Sequence, residues 1–149
     1  MPLMDVYFAA GTLSAEQKAD LAEGLTTALL RAERAPDTDF FRSLTWTYLH
    51  EMDAGHVLSA ARPASPPTFR VDVTTPEGAL SDRRRAELVA AATEVVSEVV
   101  GQADGQPPAT WVLCKEIAEG SWGAGGHVIA FQALREAAAA ERAAAEVAT

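Results

Sequence analysis

At 149 residues the chain fits one domain, a size at which roughly two-thirds of the unfolded surface is buried without help from disulfides or metals. Its 12 basic against 21 acidic side chains, a net charge of -9, exclude a phosphate backbone or an anionic membrane as a natural partner. A single cysteine, Cys114, leaves no disulfide framework and no thiolate cluster; the Met-Pro-Leu-Met start lacks the regions of a signal peptide, and no run is long enough to span a membrane. A cytoplasmic protein is the expectation.

In chain order, Val6 to Phe8 reads as a short strand. Ser14 with Gln17 has the form of a capping box, and Leu21, Leu25, Ala28 and Leu29 follow at helical spacing until Pro36 ends the helix. Thr45 to Leu49 is a second strand. Arg62 to Pro67 is a proline-rich connector that continues neither neighbour. The pattern then returns. Phe69 to Val73, extended by Thr74 and Thr75, is a strand; Ser81 caps a helix with Leu88, Ala92, Val95, Val96 and Val99 on its apolar stripe; the stretch from Gly101 to Pro108 ends it, and Trp111 to Cys114 is a strand. His127 to Phe131 has the look of a last short strand. The alanine-rich tail, residues 133–149, has high helix propensity but almost no large apolar side chains, and is expected as a peripheral or frayed helix.

The return is an internal repeat. Leu13-Ser14-Ala15 matches Leu80-Ser81-Asp82, and the same spacing carried backward pairs Gly11 with Gly78, Val6 with Val73 and Asp5 with Asp72. Thr45-Trp46 and Glu51 to Gly55 match Thr110-Trp111 and Glu116 to Gly120 at a spacing two residues shorter. Each unit is strand, helix, strand, so its two strands lie parallel through a right-handed crossover. The expected fold class is α+β, α/β by repeat. Two fused β-α-β units, residues 2–60 and 68–130, form one mixed four-stranded sheet with two helices on one face, all within a single domain spanning residues 1–149.

The stretch Glu116-Ile117-Ala118-Glu119-Gly120-Ser121-Trp122-Gly123-Ala124-Gly125-Gly126, with its shorter counterpart Glu51-Met52-Asp53-Ala54-Gly55-His56-Val57 and a Pro2 start, resembles the 4-oxalocrotonate tautomerase family. In its two-unit plan the chain is similar to the fused branch of the tautomerase superfamily, which includes cis-3-chloroacrylate dehalogenases and malonate semialdehyde decarboxylases. The resemblance implies a homotrimer and a catalytic Pro2, exposed as the amino terminus once Met1 is removed. A terminal proline is a secondary amine whose ordinary range, about 7.7 to 8.0 for an α-amino group, is lowered by burial, leaving a neutral base where a general base works best. The pseudo-equivalent position in the second unit is Phe69, so only one pocket per chain has an amine.

The family's substrate-binding arginines are absent: Thr12 and Ala79 hold the loop positions, Trp46 and Trp111 the strand positions. The histidine and tyrosine of the dehalogenase branch fall on Leu29 and Leu113. Arg70, Trp122 and Trp111 are therefore the candidate substrate contacts. Arg70 is alternatively a solvated strand residue, and the tryptophans alternatively packing residues. His50, His56 and His127 lack ligand spacing, so no metal site is expected. Arg83-Arg84-Arg85 is expected as a solvated face, and Cys114 as a small core hydrophobe. The chain is thus expected to be a cofactor-free tautomerase acting on a small carbonyl compound. A decarboxylase or hydratase of the same superfamily, or a non-catalytic trimeric ligand-binding member, stands as the alternative.

Overall fold

The computed structural model describes residues 2–147. The expected loss of Met1 falls outside the described residues. The chain runs β1 (Leu3–Ala9), α1 (Ala15–Glu33), α2 (Asp39–Ser43), β2 (Trp46–Met52), a 3₁₀ turn (Ala54–His56), β3 (Leu58–Ser59), β4 (Arg62–Pro63), β5 (Thr68–Pro76), α3 (Asp82–Val100), β6 (Ala109–Ile117), β7 (Gly123–Ala124), β8 (His127–Val128) and α4 (Phe131–Val147). The main sheet has the order β2-β1-β5-β6, parallel within each unit and antiparallel at the β1–β5 seam. This is the mixed four-stranded sheet expected from the repeat. The repeat is visible in register: Leu3 pairs with Trp46 as Arg70 pairs with Trp111, and α1 and α3 have the same length and the same serine caps.

Both long helices pack on one sheet face. Met4, Val6, Phe8, Phe69, Val71 and Val73 meet Leu21, Leu25, Leu29, Leu88, Ala92 and Val96 in one core. The helices run antiparallel: Gln17 Nε2 donates to the Val99 carbonyl (2.9 Å) at one end, and Arg84 Nη1 to the Ala32 carbonyl (3.4 Å) at the other. Their approach is close enough that a Cβ on Gly24 would stand 2.7 Å from Val95 Cγ1. The last turn of α1 therefore lies beside the first turn of α3, which is the arrangement that builds the site.

Among the described residues, no helix packs on the opposite sheet face. Trp46, Tyr48, Trp111 and Leu113 stand on it, with Trp111 74% exposed. Among them runs a polar row in which His50 Nε2 lies 2.6 Å from Asp5 Oδ1, and Lys115 Nζ donates to Asp72 Oδ2 at 2.7 Å. A sheet normally covers both apolar faces, so this one is an unpartnered surface within a single chain.

Several local expectations differ. Residues 39–43 form a helix that five residues are too few to announce by periodicity; Thr38 caps it, its hydroxyl accepting from the Phe41 N–H. The strand expected over His127 to Phe131 is only the two-residue β8, because Phe131 already opens α4, its N–H donating to the Glu119 carboxylate (3.0 Å). The three consecutive arginines do not form a solvated face, since a helix turns about 100° per residue and sends them apart. Arg83 points outward near Glu87, Arg84 reaches Ala32, and Arg85 donates to the Leu80 carbonyl (3.0 Å) and pairs with Asp82.

Candidate active site

Pro2 immediately precedes β1, and its carbonyl accepts from the Trp46 N–H of β2 at 3.3 Å, so the parallel pairing begins one residue before β1. It is buried, and it continues the alternation of Met4, Val6 and Phe8 toward the helices. Beside it opens a cavity of about 840 Å³.

Each wall has a topological reason. Because β1 runs antiparallel to β5, Pro2 lies next to the end of β5 and the loop that follows, where Gly78 takes a φ of 76° that a side chain would oppose. Ala79 of that loop and Arg84 of α3 line one side. Leu30 and Glu33 from the last turn of α1, with Phe41 of α2 and Thr45, line another. The fourth wall is α4: Phe131, Leu134, Arg135, Ala138, Ala139 and Arg142 all face the cavity at helical spacing. Arg142 Nη1 donates to the Arg34 carbonyl (2.9 Å), tying this helix to the end of α1. The alanine-rich helix is therefore not simply peripheral; its apolar stripe borders the Pro2 cavity.

Arg34, Arg84, Arg135 and Arg142 line the cavity against Glu33 and Glu136, making it locally basic in an acidic protein. Glu33 has the most perturbed environment. Burial pushes its carboxyl from 4.5 up to about 7, against the opposing pull of the amino-terminal charge and of Arg84. Its place at the C-terminal end of α1, where the helix dipole is negative, further disfavours the ionised form. Pro2 and Glu33 thus border one cavity, and the Glu33 carboxyl is of the kind that exchanges protons near neutrality.

The other residues expected at the site are placed elsewhere within the chain. Arg70 and Trp111 are paired neighbours on the open face. Strand alternation decides this, because Phe69 and Val71 point to the helices and Arg70 therefore points away. Its guanidinium lies over the Tyr7 ring (4.0 Å to the centroid) and its Nε is 3.1 Å from Asp72 Oδ1, a contact too poorly aligned to be a hydrogen bond. Trp122 stands at the β7–β8 hairpin, its carbonyl accepting from the Ile129 N–H (2.8 Å). None of the three borders the Pro2 cavity. Cys114 packs against the core, and burial raises its thiol above the ordinary value despite the nearby Arg85 charge, which makes it a poor nucleophile.

Comparison with known proteins agrees with the fold and the two-unit plan. The sequence pattern described as "Tautomerase enzyme" matches residues 70–132, the second unit. The crystal structure of native fused 4-OT is 26% identical, covering 85% of this chain and 94% of its own, with a TM-score of 0.68. Pt0534, crystallised after inactivation by 2-oxo-3-pentynoate, is 25% identical, with 89% and 98% covered and a TM-score of 0.71. N1, of the cis-3-chloroacrylic acid dehalogenase family, is 23% identical, with 90% and 87% covered and a TM-score of 0.73, and shares the fold. No curated protein matches the chain at a significant level. The second unit thus carries the tautomerase pattern, and the chain as a whole shares the fold and the fused two-unit plan of these proteins.

Proposed function

We propose that the chain is a cofactor-free tautomerase in which Pro2, made the amino terminus by removal of Met1, transfers protons in the keto-enol isomerisation of a small carbonyl compound. The observation that carries this reading is the placement of Pro2: buried, held to β2 through its carbonyl, and bordering a cavity large enough for a small organic molecule. Burial disfavours the ammonium and leaves the amine free to accept a proton. The arginines around it favour an anionic substrate, and they stand on helices or at a helix end, not at the loop and strand positions now held by Ala79 and Trp111. One chain has one such site, because Phe69 in the second unit is buried in the core and stacks on Phe8 at 5.5 Å.

The assembly proposed is a homotrimer, as four fused 4-OT structures are described. The open sheet face with Trp46, Tyr48 and Trp111 would be its buried surface, an exposed aromatic patch being the usual mark of an interface. On this reading Arg70 and Trp111 serve assembly, and any part in substrate contact belongs to a neighbouring protomer's cavity.

Conversion of an enol such as phenylenolpyruvate to its ketone, followed for the protein and for Pro2→Ala, tests the reading. Activity in the first and its loss in the second is the expected result. Equal activity in both refutes the role of Pro2, and activity in neither favours a non-catalytic ligand-binding member of the family.

A further inference from the structure

We propose that Glu33 is the second proton-transferring group of this site, working as an acid in the same cavity as the Pro2 amine, so that the pair holds one exchangeable proton between them. The inference rests on the tautomerase reading of Pro2 and assigns to that reaction a residue that no part of the family resemblance points to. Three observations carry it. Glu33 borders the same cavity as Pro2. The fold brings it there from the last turn of α1, held in place by the Arg84 bond to the neighbouring Ala32 carbonyl. And a carboxyl sits where both burial and the helix dipole oppose its charge, a placement that costs stability and that a purely structural role would satisfy better with an apolar residue. The charged groups facing it are the Pro2 amine from β1, Arg34 from its own helix end, Arg84 from α3, and Arg135, Glu136 and Arg142 from α4; α2 contributes only Phe41 and no charge.

Burial favours the uncharged form of both partners, a neutral carboxylic acid beside a neutral amine. An enol entering the cavity then isomerises without any further reagent. The Pro2 nitrogen takes the hydroxyl proton, the electrons of that O–H bond become the C=O π bond, and the C=C π pair takes the proton of the Glu33 carboxyl to form the new C–H bond. This leaves a Pro2 ammonium and a Glu33 carboxylate. Proton return from the first to the second restores the starting pair. The reverse sequence enolises a ketone, so one pair serves both directions. A single base would have to move between two positions on the substrate, whereas two groups lining one cavity act from fixed places, which is the advantage that prepositioning gives.

The test uses two readouts on the full chain, with Glu33→Gln, Glu33→Asp and Pro2→Ala. The first is the pH dependence of Pro2 alkylation by 2-oxo-3-pentynoate, an alkynyl ketone to which a neutral amine adds, followed by mass on the amino-terminal peptide. It needs no turnover. If the two groups share a proton, part of the pair is carboxylate and ammonium, and removing that carboxylate lowers the midpoint of Pro2 labelling in Glu33→Gln. The second is enol conversion: kcat falls about 10²-fold or more in Glu33→Gln with KM little changed, the loss of activity on the alkaline side of the wild-type profile disappears, and Glu33→Asp recovers part of the rate. An unchanged labelling midpoint, or a Glu33→Gln enzyme with wild-type kcat and pH profile, overturns the proposal. Failure of the Pro2 reading is a separate result: wild-type protein that takes no label on Pro2, or a Pro2→Ala variant that keeps its rate.

Discussion

Glu33 makes a second prediction, on stability. In the unfolded chain its carboxyl titrates near 4.5, and in the fold near 7. Between those values the unfolded state has released a proton that the folded state keeps, so stability falls as pH rises through this window and levels off above it. A difference of this size corresponds to about 3 kcal/mol, since each pH unit is worth about 1.4 kcal/mol. Glu33→Gln keeps the shape of the side chain and removes the titration. Urea unfolding followed by tryptophan fluorescence, at one protein concentration and at about pH 5 and about pH 8, should show the wild-type losing up to about 3 kcal/mol more than the variant between the two conditions. Titrating groups that do not interact with Glu33 are common to both proteins and cancel in the comparison, leaving Glu33 and the amine it is coupled to. At the alkaline condition the variant should be the more stable of the two, while being the less active. Identical pH dependence in the two proteins would refute the argument that burial holds the proton on Glu33.

Three further outcomes follow from the packing. Gly24→Ala forces a Cβ into Val95, and the resulting overpacking outweighs the gain in helix propensity by about 1 kcal/mol in chemical denaturation; in a Val95→Ala background the same change should become stabilising, as a double-mutant cycle would show. Trp111→Glu places a charge at the most exposed aromatic of the open face and should convert a trimeric mass in light scattering to a monomeric one, with the far-ultraviolet dichroism unchanged. Cys114 should react with a thiol reagent roughly tenfold or more slowly in the native protein than in urea, because the buried thiol resists ionisation.

The two-unit plan was legible because each unit repeats both its caps and its apolar spacing. Ser14 and Ser81 open helices of equal length, and the matching tryptophans Trp46 and Trp111 occupy matching register positions. Pro2 was legible from its position at the chain start and from the resemblance. Its surroundings were not. Glu33 and Arg84 belong to different units and meet only because α1 and α3 pack antiparallel, a relation that no local motif records. Arg84 is also hidden in a run of three arginines whose separate directions depend on helix phase. Arg70 opens the second-unit strand beside Phe69 and Trp111 holds a strand position where the family has an arginine, yet the period-two alternation that puts Phe69 in the core sends Arg70 to the other face. The alternation was available in the sequence; what was missing was which face Pro2 shares. For α4, the alanine-rich composition hid a stripe of Phe131, Leu134, Arg135 and Arg142 sufficient to border a cavity but too sparse to stand out as amphipathic.

The proposed chemistry depends on a free, largely neutral Pro2 amine at the wall of this cavity. Peptide mass analysis after incubation with 2-oxo-3-pentynoate near neutral pH reads that amine out. An amino-terminal peptide that begins at Pro2 and carries one equivalent of reagent, with enol conversion lost in proportion to labelling, is the expected result. A peptide that still begins with Met1, or an unmodified Pro2 in protein that remains active, would contradict it.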